Sequence, residues 1–177
     1  MAVKAVSAPR LPAALRATVL ARLVVPVMLS AAGTASAQAQ DKQPSTFAPV
    51  IGGALLCRDQ IDNRYLYAWL ASHFGPPYKH EGGAFWFRTG EATLWGAPVT
   101  EVMVGDDTGG LAFLAAVAEL PPDQLEQSVR TGAGIKYPAA DASPYPLRIS
   151  APGSTIAYYN SKSKIYCAKF KPLPPRP

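Results

Sequence analysis

The chain has 177 residues and a formal net charge of +5, from 17 Lys and Arg against 12 Asp and Glu. Four of the basic residues and none of the acidic ones fall within residues 1–37, so residues 38–177 carry a net charge of only +1. Because the basic excess belongs to the leading segment, it does not indicate a nucleic-acid partner for the rest of the chain. Residues 38–177 are numerous enough for one domain with its own core.

Residues 1–37 have the order of features that is typical of a secretory signal peptide. Basic residues come first, an apolar run over 23–32 follows, and Ala35, Ser36 and Ala37 supply the small residues of a cleavage site. The apolar run is too short to span a bilayer. A retained single-pass anchor and a downstream start codon are the alternatives. We therefore predict a periplasmic or secreted protein with no membrane span after cleavage of the signal peptide.

The two cysteines, Cys57 and Cys167, lie near opposite ends of the exported part of the chain. In an exported protein such a pair predicts a disulfide. Closing a loop of about 110 residues contributes roughly 4–5 kcal/mol in the chain-entropy treatment. Lipidation of Cys57 is excluded because Leu56, which precedes it, is not the small residue that a lipidation signal needs.

Residues 38–50 are polar and proline-containing and are predicted to be disordered, so that order begins near Ile51. A first helix is predicted over 58–74, because apolar residues recur at three- and four-residue spacing and Gly75-Pro76-Pro77 follow. A second helix is predicted over 122–130, where proline stands near the first helical position.

Dense aromatic and β-branched residues, separated by glycine- and proline-containing turns, predict strands in the remainder of the domain. The expected strands cover residues 85–88, 92–95, 99–104, 111–120, 147–150, 155–160 and 164–170. The segment 111–120 is ambiguous, because its alanines favour a helix whereas its position after a meander favours a strand. A hairpin turn is expected at Ser161-Lys162-Ser163, and a loop at 78–83.

These elements predict a single α+β domain over residues 51–171. Its antiparallel sheet of meanders and hairpins carries two helices packed on one face. A faint duplication, in which a helix and three strands occur twice, is a further expectation. The Pro-rich tail, residues 172–177, is expected to be disordered. Lysines near the end of the chain alternate as in an exposed edge strand, where lysine opposes pairing with other chains: Lys162, Lys164 and the pair Lys169 and Lys171. A basic patch for an acidic partner or an anionic membrane surface is the alternative.

Residues that could carry catalysis are few. His73 falls on the apolar side of the first predicted helix, where a packed histidine is expected. A hydrolase could use His80 with Glu81 or Asp106, but no nucleophile motif accompanies them. No spacing of ligand-forming residues matches a metal site. We therefore predict a protein that is not an enzyme and has no metal or other cofactor.

The large aromatic residues are more informative. If strands alternate, Tyr78, Trp86, Trp95, Tyr158 and Tyr159 do not all point inward, and exposed Trp and Tyr carry much of the energy in binding surfaces. The leading hypothesis is an exported domain that binds a protein in the cell envelope, such as an inhibitor, an immunity protein or an assembly adaptor. The alternative is a carrier of a small ligand, held in a groove between the first helix and the sheet.

Overall fold

The computed structural model of the protein describes residues 43–172. The predicted signal peptide and almost all of the predicted tail 172–177 lie outside the described residues. The helices are α1 (Gly53–Leu55), α2 (Asn63–Phe74) and α3 (Pro122–Ala133), and a π-helical turn, Ala48–Gly52, leads into α1. The strands are β1 (Lys79–Glu81), β2 (Ala84–Arg88), β3 (Thr93–Leu94), β4 (Ala97–Gly105), β5 (Leu111–Ala118), β6 (Arg148–Ile149), β7 (Thr155–Tyr159) and β8 (Lys162–Phe170).

The eight strands form one sheet in the order β1-β2-β4-β5-β8-β7-β6, with β3 paired to the start of β4. Every pairing is antiparallel. The α+β class and the antiparallel sheet are therefore confirmed. The predicted helix-plus-three-strand duplication stays a prediction.

All three helices pack on one face of the sheet, whereas the sequence predicted two helices there; the short α1 is the additional one. Because side chains alternate along a strand, one set of strand residues meets the helices and the other set points away. Helix α2 contributes Leu66 and Leu70 to the core, and α3 contributes Leu125 and Val129. The sheet residues buried against them are Phe87, Val102, Val104, Leu114, Ala116, Ala118, Ile156 and Ile165. This hydrophobic core is the main source of the stability of the domain.

Helix α2 begins five residues later than predicted. The Asp62 side chain accepts hydrogen bonds from the backbone N–H groups of Arg64 and Tyr65, which satisfies donors that the helix itself cannot pair. Asp62 is therefore the N-cap and not an interior residue. The end is as predicted, because Gly75 adopts a φ of +81° that favours glycine.

The ambiguous segment 111–120 is strand β5 over 111–118, paired with β4 and β8 along its whole length. Two predictions were wrong in detail. The predicted loop 78–83 contains β1, and the β7–β8 turn lies at Asn160-Ser161, one residue before the predicted one. Asn160 adopts a φ of +55° there, a conformation that asparagine tolerates better than most residues.

Order begins earlier than predicted. Within the segment 38–50 the structure describes residues 43–50, and Phe47 is completely buried. Its ring lies 6.1 Å from that of Trp69 and 5.5 Å from that of Phe74, so it closes the end of the core beside α2. A single aromatic residue in a polar segment was too weak a sequence signal to indicate this.

The predicted disulfide is confirmed: Cys57 and Cys167 are bonded, with their Cα atoms 5.4 Å apart. Cys57 follows α1, and Cys167 lies on β8 facing the helices, so the bond joins the start of the domain to its central sheet. Among residues 43–172 no helix is long and apolar enough to cross a membrane.

Strand β8 is not an edge strand, so the interpretation of its lysines as the protection of an exposed strand edge was wrong. It lies between β5 and β7. Lys162 and Lys164 point to the face away from the helices, whereas Lys169 reaches the other way and donates to the carbonyl oxygens of Cys57 and Asp59. Lys162 and Lys164 therefore share one face of a central strand.

Candidate functional site

The sheet face away from the helices is covered by none of the elements that the structure describes. We call it the open face. Its centre consists of short or buried side chains, Ala84, Met103, Ala115 and Val117. Larger side chains from the neighbouring strands pack around and over them: Trp86, Phe113, Tyr159 and Tyr166. The open face therefore has an apolar centre with an aromatic rim.

Lysines lie against these rings. The Lys164 Nζ is 4.3 Å from the ring centroid of Tyr159 and 5.5 Å from that of Trp86, and the Lys79 Nζ lies 4.7 Å from the Trp86 centroid. At these distances an ammonium is attracted by the negative face of an aromatic ring. The Lys164 ammonium therefore lies near aromatic rings of two different strands, Tyr159 of β7 and Trp86 of β2.

A second cation and aromatic pair lies beside the first. The Arg88 guanidinium stands 4.6 Å from the Tyr78 ring centroid, and the Tyr78 hydroxyl donates to Glu101 over 2.7 Å. Burial and the hydrogen bond to Glu101 raise the pKa of Tyr78 to about 12, although the residue as a whole is 41% exposed. The phenol thus stays protonated at any physiological pH and holds the Glu101 carboxylate in place.

The charges of the open face are not evenly paired. Lys79 pairs with Glu81, and Lys162 pairs with Glu119. Among residues 43–172, no carboxylate lies within ion-pair distance of Lys164 or Arg88. Burial lowers the pKa of Lys164, and the more distant charge of Glu101 only partly opposes this effect. Lys164 is therefore a partly dehydrated cation that lies against two aromatic rings.

The structure brings Tyr78, Trp86 and Tyr159 together on the open face but places the other two predicted aromatic residues elsewhere. Trp95 is half-buried between the turn before α1 and helix α3. It packs so closely on Gly132 of α3 that a Cβ added to this glycine would lie only 2.9 Å from the Trp95 Cβ. Tyr158 points to the helix face, where its ring lies 4.7 Å from that of Tyr145.

His80 is hydrogen-bonded to one of its two predicted partners. Its Nε2 donates to the Asp106 Oδ2 over 2.7 Å, and its ring stacks on Phe85 at 4.3 Å. The other Asp106 oxygen accepts from the backbone N–H and the hydroxyl of Thr108. Glu81 instead pairs with Lys79. This arrangement connects the β1–β2 hairpin to the turn after β4. Among the described residues, no hydroxyl group forms a hydrogen bond with His80.

These bonds predict a specific acid sensitivity. The Thr108 hydroxyl and His80 lower the pKa of Asp106 from its usual 3.8 to about 2. A carboxyl with a lowered pKa in the folded state stabilises the fold above its unfolded-state pKa, and this contribution is lost as the pH falls through the folded value. Asp106→Asn should therefore lower Tm at pH 5, and the difference from the wild type should shrink between pH 4 and pH 2. Melting curves across this range test it, and a constant difference would contradict it.

The absence of a metal ion stays a prediction. Among the described residues, no group of three or more His, Cys, Asp or Glu side chains is placed to hold a metal ion. The histidine of α2, His73, is stacked on Trp69 at 4.2 Å, which is a packing contact. Asp107 is bound by Asn63, by Lys171 and, at 3.7 Å, by Arg64, so its carboxylate is engaged within the fold.

Sequence reasoning identified the cations of the site only in part. Lys79 and Arg88 stood in or beside a segment that was interpreted only for its aromatic residues. Lys164 was assigned to a strand edge, with a basic patch for an acidic partner as the alternative. The signal was present in the alternation Lys162, Lys164, Tyr166 along one strand face, since residues two apart share a face. Recognising it required the position of β8 in the sheet, which depends on long-range pairing.

The open face can therefore bind an apolar and anionic surface through several aromatic side chains and two cations that lack carboxylate partners. A depression of about 470 Å³ at one end, lined by Arg88, Glu101 and Tyr159 among others, adds a concave part to the surface. Comparison of the chain with protein-family models, with curated proteins and with solved structures finds no match in any of the three.

Proposed function

We propose that the protein is an exported, non-enzymatic domain that binds another protein of the cell envelope through the open face of its sheet. The observation that supports this function best is the sheet face itself, which has an apolar centre, an aromatic rim and no covering element among residues 43–172. Trp and Tyr side chains in such a surface typically contribute much of the binding energy.

Two further observations support the compartment. The Cys57–Cys167 disulfide fits an oxidising environment such as the periplasm or the exterior of the cell. The order of basic, apolar and small residues within 1–37 is that of a secretory signal peptide. An inhibitor, an immunity protein or an assembly adaptor would each be exported and would carry a binding surface. None of the three would need a catalytic group.

Trp86→Ala should abolish or strongly weaken partner capture. Trp86 lies at the rim of the open face and contacts its buried centre, so truncation is expected to weaken binding by about 2–4 kcal/mol, or roughly 30-fold to 1,000-fold. Native mass spectrometry of protein purified gently from the envelope fraction of its own host measures the complex.

Tyr145→Ala is the matched control, because Tyr145 is 67% exposed and neighbours Tyr158 on the helix side. Both variants must melt near the wild-type temperature for the comparison to hold, and Tyr159→Ala replaces Trp86→Ala if the latter is unstable. Equal capture by wild type, Trp86→Ala and Tyr159→Ala would overturn the proposed surface.

A small-ligand carrier, with its ligand in a groove between the first long helix and the sheet, is the second candidate. A depression of about 330 Å³ between α2 and the sheet, lined by residues such as Asn63, Tyr67 and Phe85, favours it. Tyr78 and Trp86 lie on the open face, away from this depression. A copurifying mass of a few hundred daltons, in place of a second protein, would favour the carrier.

A further inference from the structure

Lys164 occupies an unusual position for a lysine of a central strand. Its neighbours across the sheet are Val117 on β5 and Ala157 on β7, both without charge, and beyond Val117 the same row continues to Glu101 and Arg88. The side chain is half-buried over the apolar centre and does not extend directly into solvent. A lysine whose aliphatic stem covers apolar surface normally still places its ammonium in water or against a carboxylate.

The stabilisation of this cation is incomplete. An aromatic ring attracts the ammonium but accepts no strong charge-assisted hydrogen bond from it, whereas a carboxylate does. The ammonium has two rings close by and no carboxylate within ion-pair distance among the described residues. It is thus held in one place by its neighbours, with donor capacity left for another group.

We propose that Lys164, framed by Trp86 and Tyr159, is a carboxylate-recognition site, and that the protein partner places an acidic side chain flanked by apolar residues on it. This inference rests on the proposed function and specifies the chemistry of the partner. The complementarity is of two kinds: the ammonium binds the carboxylate, and the rings together with the buried centre of the sheet receive the flanking apolar groups.

The second uncommitted cation supports an acidic partner surface. Arg88 stacks on Tyr78 several strands away from Lys164 and also lacks a carboxylate within ion-pair distance among the described residues. An acidic group of the partner at each of the two cations would fix the orientation of the partner on the sheet.

Two peptides test the site without knowledge of the partner: acetyl-Leu-Glu-Leu-amide and its uncharged analogue acetyl-Leu-Gln-Leu-amide. The readout is the NMR signal of the Trp86 indole N–H, identified with Trp86→Phe. The glutamate peptide should shift this signal with saturation at millimolar concentration, and the glutamine peptide should bind about tenfold more weakly or not at all. An unshifted indole signal at 10 mM glutamate peptide, or equal shifts with both peptides, overturns the inference.

Lys164→Met provides the decisive variant, because it keeps a long apolar side chain and removes only the charge. It should abolish the preference for the glutamate peptide, whereas Lys136→Met, at an exposed lysine of the loop after α3, should retain it. A preference that survives Lys164→Met overturns the site. An indole signal that shifts with protein concentration alone indicates a second copy as the occupant and also overturns it.

Partner capture separates this inference from the function on which it rests. If Trp86→Ala loses the envelope partner and Lys164→Met loses it too, with unchanged Tm, both stand. If Lys164→Met still captures the partner as well as the wild type, the open face binds its partner without this carboxylate and only the inference fails. If neither variant affects capture, the proposed function itself fails.

Discussion

Removing the Cys57–Cys167 disulfide should lower the free energy of unfolding by about 4–5 kcal/mol. The bond closes a loop with a sequence separation of 110 residues, and in the chain-entropy treatment the stabilisation grows with the length of the closed loop. For a domain of this size the corresponding decrease in Tm is about 10–20 °C. Urea unfolding of the double variant Cys57→Ser, Cys167→Ser, compared with the oxidised wild type, measures the difference.

The same experiment contains its control. Dithiothreitol added to unfolded protein before refolding should bring the wild type to the stability of the double variant and leave the double variant unchanged. The sulfur atoms are buried, so reduction of the folded protein is a poor substitute for this procedure. A wild type whose stability is the same with and without the bond would show that the unfolded chain gains little freedom from its loss.

Phe87→Ala should be the most destabilising single truncation among the sheet phenylalanines, by about 3–5 kcal/mol. Phe87 is completely buried in the core between the sheet and α2, and its ring lies 5.6 Å from that of Tyr67 in an edge-to-face arrangement. Truncation removes the buried ring and leaves a cavity that rigid strands cannot close. Chemical denaturation reports the loss as a lower midpoint.

Phe170→Ala is the matched variant, because it deletes the same group from a position that is 89% exposed at the end of β8. Its effect should remain within about 0.5 kcal/mol. Comparable losses in the two variants would mean that the core does not lie on the helix side alone.

Much of this architecture follows from local sequence signals. Gly75-Pro76-Pro77 fixes the end of α2, and the β-branched and aromatic residues around β2 and β4 fix strands, because their effects operate over a few residues. Because the chain contains only two cysteines, each could form an intramolecular disulfide only with the other. The disulfide therefore followed from the predicted oxidising compartment. The burial of Phe47 did not follow, since it depends on contacts with Trp69 and Phe74 that are formed only in the folded chain.

The candidate site was predictable in part, for a similar reason. The aromatic character of Tyr78, Trp86 and Tyr159 was evident in the sequence, but their convergence depends on the order of strands in the sheet. The strand order also decides that Lys164 meets rings rather than water. The alternation of side chains along β8 constrains which residues share a face, and long-range pairing determines what stands beside them.

The borders of the sheet bear on how the protein behaves when it is crowded. The terminal strands of the pairing order are β1, with three residues, and β6, with two. Such short borders expose few unpaired backbone groups. They are therefore poor templates for the pairing of strands from different molecules, which long, flat borders promote. An increase in concentration should therefore produce fibrils through these short borders less readily than it does in proteins whose sheets end in long, flat strands.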